Sequence, residues 1–435
     1  MADKVLLRHL DIPNFHQLDV YVANGGYNAA RKALTTMKPE EVIDQVKASN
    51  LRGRGGAGFG TGMKWGFLPK DSAKPVYLCC NADESEPGTF KDRAIIEWNT
   101  HILLEGLLIS SYAIKSHTCY IYIRGEFVFG AQRLEEEIAA AYAKGYLGKN
   151  IFGTGFDLDI YVHRGAGAYI CGEETGLIES LEGKRAYPRI KPPFPATYGL
   201  FGCPTIVNNV ETLACVPSII ENGPAWFKAI GPESGPGPKI YCVSGHVEKP
   251  GLYELPMGVT LRSLLYDHAG GIRGGKQLKA VMPGGSSFPI LTADEIDVAM
   301  DFDSMRKINA FLGSAGIIVM DEDTCMVKAL TIIDRFYHHE SCGQCSPCRE
   351  GTGWLHKLLM RLEEGNGRAE DIDMMDRIST NMMGNTVCVL ADAAAMPTQS
   401  YLQKFKAEFV EHVTLGRCPF QKEGAPTHRH TAHAA

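Results

Sequence analysis

No stretch of this chain stays apolar for the roughly eighteen residues that a membrane helix needs. The nearest, residues 102–114, is short and carries Glu105, so no direct membrane insertion is expected. Positive charge is not in excess either. Lysine and arginine number 44 against 50 acidic residues, a net charge of −6, which argues against a nucleic-acid partner. The opening Met1-Ala2-Asp3-Lys4 lacks the basic-then-apolar pattern of a secretory leader. The 13 cysteines are odd in number and lack regular spacing outside one short run. Together these absences exclude a disulfide framework and predict reduced thiols in a cytosol.

What is present is the composition of a soluble globular protein, 45 % hydrophobic and 22 % charged, at a length of 435 residues that predicts two or three domains. Over residues 1–235, short apolar runs (76–80, 119–123, 158–162) alternate with helical patterns (92–115, 132–144), the mark of a mostly parallel sheet covered by helices. Residues 231–238 are so dense in glycine and proline that they read as a linker. Residues 236–324 read as a small α+β module, with strands over 239–246, 251–255, 278–282 and 316–320 and a helix over 261–268. From Cys325 to 420 the pattern is helical (326–338, 353–364, 369–382, 391–414), predicting a bundle. Residues 421–435 read as a disordered polar tail.

The one regular cysteine run is Cys342-Gly343-Gln344-Cys345-Ser346-Pro347-Cys348, followed forty residues later by Cys388. A C-x2-C-x2-C triplet completed by a distant cysteine is the usual holder of an iron–sulfur cluster. Zinc is the alternative, although it more often takes two paired C-x2-C knuckles. The triplet is expected on a loop between helices. The other nine cysteines read as core residues.

Four further motifs point to a ligand. Residues 51–59 contain a formal G-x-G-x-x-G at Gly53, Gly55 and Gly58. Helix, not strand, precedes it, so the dinucleotide fingerprint of a Rossmann unit fails. The five glycines between Gly53 and Gly60 still leave backbone N–H groups bare for a phosphate or a flat ring, and Arg54 and Lys64 add charge. A merely flexible loop is the alternative. Asn81-Ala82-Asp83-Glu84-Ser85-Glu86 follows an apolar strand, where α/β sheets bind ligands; solvated loop charge is the bland reading. Tyr169, with Gly172-Glu173-Glu174-Thr175, offers a stacking face and acceptors for ribityl or ribose hydroxyls. Residues 204–212 are expected to open a helix with Thr205 as N-cap and with Asn208 and Asn209 as versatile donors and acceptors.

In this order, the glycine loop with Lys64, the Asn81–Gly88 segment, Gly172–Thr175, Val207–Thr212 and the cysteine triplet closely resemble the NADH-binding flavoprotein subunit of bacterial respiratory complex I, over about residues 15–420. The resemblance implies an α/β Rossmann-like FMN domain, a small α+β β-grasp (ubiquitin-like) domain and a C-terminal helical bundle carrying an iron–sulfur cluster. It implies [4Fe–4S] ligation by Cys342, Cys345, Cys348 and Cys388. It implies FMN contacts at Gly53, Arg54, Gly55, Lys64, Asn81, Asp83, Glu84, Tyr169, Gly172, Glu173, Glu174, Asn208, Asn209 and Thr212, with Gly58 completing the loop. NADH contacts would fall on Gly56, Ala57, Phe59, Lys64, Glu86 and Lys191, with Phe194 as a stacking partner. No side chain is assigned as catalytic acid, base or nucleophile.

The implied activity is NADH oxidation with single electrons passed to the cluster, at the input of a proton-pumping NADH–quinone oxidoreductase. Implied partners are a small [2Fe–2S] thioredoxin-like subunit and a large iron–sulfur subunit, holding the chain at the cytoplasmic face of the membrane. A diaphorase subunit of a soluble NAD-linked hydrogenase or formate dehydrogenase is the alternative. The absence of a thioredoxin-like segment before Leu51 and of a ferredoxin-like one after Phe420 weighs against it. A non-catalytic iron–sulfur scaffold is the alternative of a different class. Gly60 departs from the family, which usually has proline there.

Overall fold

The structure, a computed structural model, describes residues 4–420. The polar tail expected over residues 421–435 lies outside the described residues. The chain forms two compact units, Met1–Gly275 with Val281–Val319, and Lys276–Ala280 with Met320–Ala435.

Four parallel strands organise the first unit: β1 (Tyr77–Ala82), β2 (Thr118–Ile123), β3 (Asp159–Arg164) and β4 (Thr205–Asn209), in the order β3-β2-β1-β4. β1 is paired on both edges, and its Leu78, Cys79, Cys80 and Ala82 are all buried. That explains a continuous apolar run rather than an alternating one. Helices α1 (Leu18–Ala23), α2 (Asn28–Thr36) and α3 (Pro39–Ala48) precede the sheet, and α4 (Thr61–Trp65) follows the glycine loop. α5 (Lys91–Trp98) and α6 (Thr100–Ala113) connect β1 to β2, and α7 (Val128–Ala143) connects β2 to β3. α8 (Glu174–Leu181) follows β3, while α9 (Val210–Ala214), α10 (Val216–Asn222) and α11 (Pro224–Lys228) follow β4.

The helix expected over residues 92–115 is two helices. Asn99 breaks it at φ −133°, ψ 51°, and its side-chain amide donates to the Leu6 carbonyl at 2.9 Å. α6 is buried almost all round, the pattern of a core helix. Its Glu105 accepts hydrogen bonds from the Tyr21 hydroxyl at 2.6 Å and the Ala30 N–H at 2.9 Å. Among the described residues no helix is long and apolar enough to cross a membrane.

Thr205 is not a helix N-cap. It opens β4, because the run Thr205-Ile206-Val207 pairs residue for residue with Tyr77-Leu78-Cys79, the setting that β-branched side chains favour. The helix begins at Val210, capped by the Asn209 side chain accepting the Glu211 N–H.

A second sheet has the order β6-β5-β9-β7-β8, with β5 (Pro238–Gly245), β6 (Gly251–Pro256), β7 (Leu278–Met282), β8 (Leu291–Thr292) and β9 (Gly316–Asp321). β5 pairs antiparallel with β6 and parallel with β9. The helix expected over 261–268 is one turn, α12 (Leu261–Ser263), running into a π-turn; α13 (Phe302–Lys307) follows later. The Gly231–Pro238 stretch lies inside the first unit and is anchored there. The Arg54 guanidinium donates to the Pro236 and Pro238 carbonyls at 2.7 and 3.2 Å.

The second unit is a bundle of α14 (Met326–Glu340), α15 (Ser346–Glu363), α16 (Ala369–Met382) and α17 (Leu390–Leu415). Adjacent helices pack against each other and α14 packs on α17, closing the ring. Leu330, Ile333 and Tyr337 of α14, Leu355, Leu359 and Leu362 of α15, and Tyr401 and Phe409 of α17 are buried; their three-and-four spacing is that of helices with one apolar face. α15 starts earlier than its apolar pattern suggests. Cys345 is its N-cap and Cys348 sits in its first turn, since Pro347 suits a helix start. Cys342 and Cys345 of the triplet therefore lie on the loop, with Cys345 ending it, and Cys348 lies inside the helix.

Candidate functional site

The order β3-β2-β1-β4 reverses direction at β1, so the C-terminal ends of β1 and β4 border the crevice where open α/β sheets take their ligands. Asn81 of β1 is in register with Asn209 of β4, and Cys80 with Asn208. The four ligand-suggesting motifs converge there.

The glycine loop is pinched shut by Gly53 N–H to the Phe59 carbonyl and Thr61 N–H to the Leu51 carbonyl, both at 2.8 Å. It lies on the end of β4 so closely that a Cβ added to Gly55 would stand 3.0 Å from Asn209 Cβ. Gly56 has φ +124°, a conformation open to glycine. Gly55, Ala57 and Phe59 face solvent. Arg54 turns inward instead: its N–H donates to Thr212 Oγ1 at 2.8 Å, and its buried guanidinium meets backbone carbonyls.

Across from the loop, Lys64 Nζ donates to Glu174 at 2.8 Å and to the Val207 carbonyl at 2.9 Å. Lys191 Nζ donates to Glu173 at 3.0 Å and Glu174 at 2.8 Å. Glu173 also caps α8 by accepting the Thr175 and Gly176 N–H groups. Burial pushes the Glu174 carboxyl up, but Lys64 and Lys191 outweigh it and hold it below the ordinary range. Two ammonium groups and two carboxylates thus stand preassembled in a half-buried pocket.

Asn81 donates to the Gly172 carbonyl at 2.8 Å and accepts the Asp83 N–H at 3.0 Å, which ties the β1 end to the segment after β3. The Glu84 carboxylate takes the Asp92 and Arg93 N–H groups at 2.8 and 3.0 Å and so caps α5. Burial, with Asp92 close by, pushes its pKa up to about 7. Glu86 accepts from the Tyr169 hydroxyl at 2.7 Å and from the Ser287 N–H at 2.9 Å and hydroxyl at 2.8 Å. Burial raises its pKa, and these hydrogen bonds temper the rise. Asn208 Oδ1 accepts the Trp65 indole N–H at 2.8 Å. Phe194, offered as a stacking partner, is an exposed ring.

Beneath Asn209 lies a charge network that the sequence reading missed. Lys91 Nζ reaches Asp92 at 2.7 Å, Glu211 at 3.0 Å and Asn209 Oδ1 at 3.2 Å. Lys239 Nζ reaches the same Glu211 oxygen at 2.6 Å. Lys91, Asp92, Glu211 and Lys239 are all buried. Glu211 stood inside a motif already singled out, but its partners come from distant segments with no local signal. Burial raises Glu211, and Lys239 and Lys91 more than reverse it.

In the second unit, Cys342 follows α14, Cys345 and Cys348 open α15, and Cys388 stands between α16 and α17. The neighbouring Val387 N–H donates to Cys345 Sγ at 3.4 Å, and Ser341 Oγ lies 3.2 Å from Cys348 Sγ. Three chain segments therefore bring sulfur donors to one end of the bundle, a donor set that fits an all-thiolate iron–sulfur centre. At the β1/β4 crevice the exposed glycine loop, Asn81, Asn209 and the Lys64–Glu174–Lys191 cluster supply backbone N–H groups, amides and charge of the kind a flavin nucleotide takes, so the donor set of the first unit fits a flavin. The remaining nine cysteines are all buried.

Three family models match the chain: the Nuo51 FMN-binding domain over residues 46–218, the SLBB domain over 239–319, and the NADH-ubiquinone oxidoreductase-F iron-sulfur binding region over 328–412. The chain is 57 % identical over 420 residues, 97 % of its length and 100 % of the relative's, to the second F-type subunit of the NADH-quinone oxidoreductase of Rhizobium meliloti. It is 52 % identical to the F-type subunit of the NADH-quinone oxidoreductase of Mycobacterium tuberculosis, over 96 % of this chain and 95 % of the relative. A crystal structure of NAD+-reducing [NiFe]-hydrogenase aligns with TM-score 0.80 at 33 % identity, covering 95 % of this chain and 66 % of the hydrogenase chain. With near-complete coverage at more than half identity, this chain belongs to the family of F-type subunits of NADH-quinone oxidoreductase.

Proposed function

We propose that this chain is the NADH-oxidising input subunit of a quinone-reducing respiratory complex, with FMN and NADH bound by residues 1–235, a β-grasp module over 236–324, and a [4Fe–4S] cluster on the bundle of 325–420. The observation that carries the reading is the convergence of the glycine loop, Asn81 with Asp83, Asn208 with Asn209, and the Lys64–Glu174–Lys191 network on the β1/β4 crevice. FMN, when bound, takes hydride from NADH and yields electrons singly, which an iron–sulfur cluster requires.

The chain's own residues supply position and field. Backbone N–H groups of the glycine loop and the exposed Gly55 and Ala57 admit a ring without side-chain obstruction. Lys64 and Lys191 bring positive charge for a nucleotide, and Glu173 and Glu174 hold them in place before it arrives. Glu86, fixed by Tyr169 and Ser287, shapes the nicotinamide side. Hydride carries its own electron pair, so no side-chain acid or base is assigned to that step. Cys342, Cys345, Cys348 and Cys388 would hold the cluster. A small [2Fe–2S] thioredoxin-like subunit and a large iron–sulfur subunit are the proposed partners, keeping the chain peripheral to the cytoplasmic face of the membrane.

The 57 % identity to a quinone oxidoreductase subunit, against 33 % to the hydrogenase chain, favours this reading over the diaphorase one. Anaerobic NADH titration of the purified chain tests it. Flavin absorbance at roughly 450 nm should bleach and a reduced-cluster EPR signal should appear, the latter lost in Cys388→Ala. Protein that releases no flavin on denaturation would leave only a metal-binding scaffold.

A further inference from the structure

We propose that Cys325, Glu363, His412 and Cys418 bind one zinc ion, at the end of the helical bundle opposite the cluster cysteines. The four side chains come from three places that the bundle brings together. Cys325 is the N-cap of α14, Glu363 is the last residue of α15, His412 lies in the final turn of α17, and Cys418 follows that helix just beyond the Gly416 turn. Their ligand atoms all lie within 4.8 Å of one another.

The distances among three of the donors come close to those of a coordination sphere. Cys325 Sγ is 3.4 Å from His412 Nε2 and 3.9 Å from Glu363 Oε1, and His412 Nε2 is 3.5 Å from that same oxygen. A tetrahedral zinc with bonds of about 2.3 Å to sulfur and 2.0–2.2 Å to nitrogen or oxygen has ligand-to-ligand edges of roughly 3.3–3.8 Å. The donors are also protected from water, with His412 fully buried and Cys325 and Cys418 under one-tenth exposed. Two sulfurs, an imidazole and a carboxylate make a closed set of the kind that zinc takes in structural sites, with no position left for a substrate.

The surroundings orient the donors as metal sites do. His412 Nδ1 donates to the Glu408 carbonyl at 2.7 Å, which leaves the Nε2 lone pair facing Cys325 and Glu363. The Glu408 carboxylate accepts the Met326 N–H at 3.1 Å and pairs with Lys279 at 2.5 Å. Lys279 also donates to the Thr324 carbonyl at 2.7 Å, beside Cys325. Two thiolates and a carboxylate around a divalent ion leave one negative charge, and the Lys279–Glu408 pair beside it is itself neutral.

The site is distinct from the iron–sulfur ligands. α14 has Cys325 at its start and Cys342 just past its end, and 15 residues of helix span about 22 Å. Cys325 and Cys418 also fall outside residues 328–412 that match the iron–sulfur region. Such an ion would bind the N-terminus of α14, the C-terminus of α15 and the segment after α17 into one joint.

The test is metal analysis of the full chain carrying its flavin and cluster, purified without chelator. About one zinc per chain is expected beside the cluster iron, and zinc X-ray absorption should show two sulfur and two lighter scatterers, unlike a four-sulfur site. Cys325→Ser/Cys418→Ser should lose the zinc while keeping iron and FMN. The wild-type spectrum decides even if that variant fails to fold. The proposal is overturned by protein that neither contains zinc nor takes up one equivalent of Zn2+, by a Cys325–Cys418 disulfide in alkylation mass spectrometry, or by zinc content unchanged in the double variant.

Discussion

Replacing Glu211 with glutamine probes the buried charge network directly. Its carboxylate serves Lys239 at 2.6 Å and Lys91 at 3.0 Å, with all three side chains sealed from water. At an effective dielectric of about 20, one such contact attracts by about 6 kcal/mol, most of which offsets desolvation of the ions. What remains after deleting one partner is the cost of an uncompensated buried cation, about 3–5 kcal/mol. Glutamine keeps the acceptor for the Ile240 N–H, which Glu211 now takes at 2.9 Å, so the loss reports charge and not shape. For units of 150–250 residues 1 kcal/mol moves Tm by about 2–4 °C, and the somewhat larger first unit falls at the low end. A fall of roughly 6–15 °C is therefore expected in melts followed by flavin release. Adding Lys239→Met removes the orphaned cation and should recover about half of that fall, a coupling within the range for contacting residues. A loss under 2 °C for Glu211→Gln, or a double variant that loses the sum of the two singles, would refute the reasoning.

Gly55→Ala places a methyl 3.0 Å from Asn209 Cβ; overpacking of about 1–3 kcal/mol predicts FMN binding weakened at least several-fold in fluorescence titration, and unchanged affinity would remove the loop from the flavin site. Glu86→Gln disturbs the bonds to Tyr169 and Ser287 and should raise KM for NADH about tenfold with flavin content intact; flavin loss would contradict its assignment to the nicotinamide side. Asp334 of α14 is buried, with Thr398 at 3.2 Å and Tyr401 nearby, and burial holds its pKa well above the ordinary carboxylate value. A raised folded-state pKa means that the native state binds the extra proton, so Asp334 costs stability progressively as pH rises above the unfolded value of about 3.9. Asp334→Asn should therefore raise the bundle's Tm by an amount that grows with pH through that window; a difference flat from pH 4 to 8 would show that the group does not titrate there.

The parts of the fold and site legible in the sequence were those written locally. A glycine loop, an acidic run after an apolar strand and a cysteine triplet each carry their chemistry within a dozen residues, and the helical bundle shows in its three-and-four spacing. Competition between signals explains the errors. Thr205–Asn209 is a five-residue strand running straight into a helix, so its polar end looked like a cap. Residues 92–115 read as one helix because the break rests on Asn99 reaching Leu6, a partner 93 residues away in sequence. The Lys91–Glu211–Lys239 network and the Cys325–His412–Cys418 cluster were invisible for the same reason, since each joins segments that only folding brings together.

Arg54 links two features that the chain keeps apart. Its backbone N–H is held by Thr212 beside the β1/β4 crevice proposed for the flavin, while its guanidinium ends on Pro236 and Pro238 at the root of the second sheet. The residue is a lever with one arm in each place. A force that shifts the Gly/Pro stretch has to drag Arg54, and with it the glycine loop, or break two buried hydrogen bonds. The second sheet and the glycine loop are therefore joined through one side chain, without a helix between them.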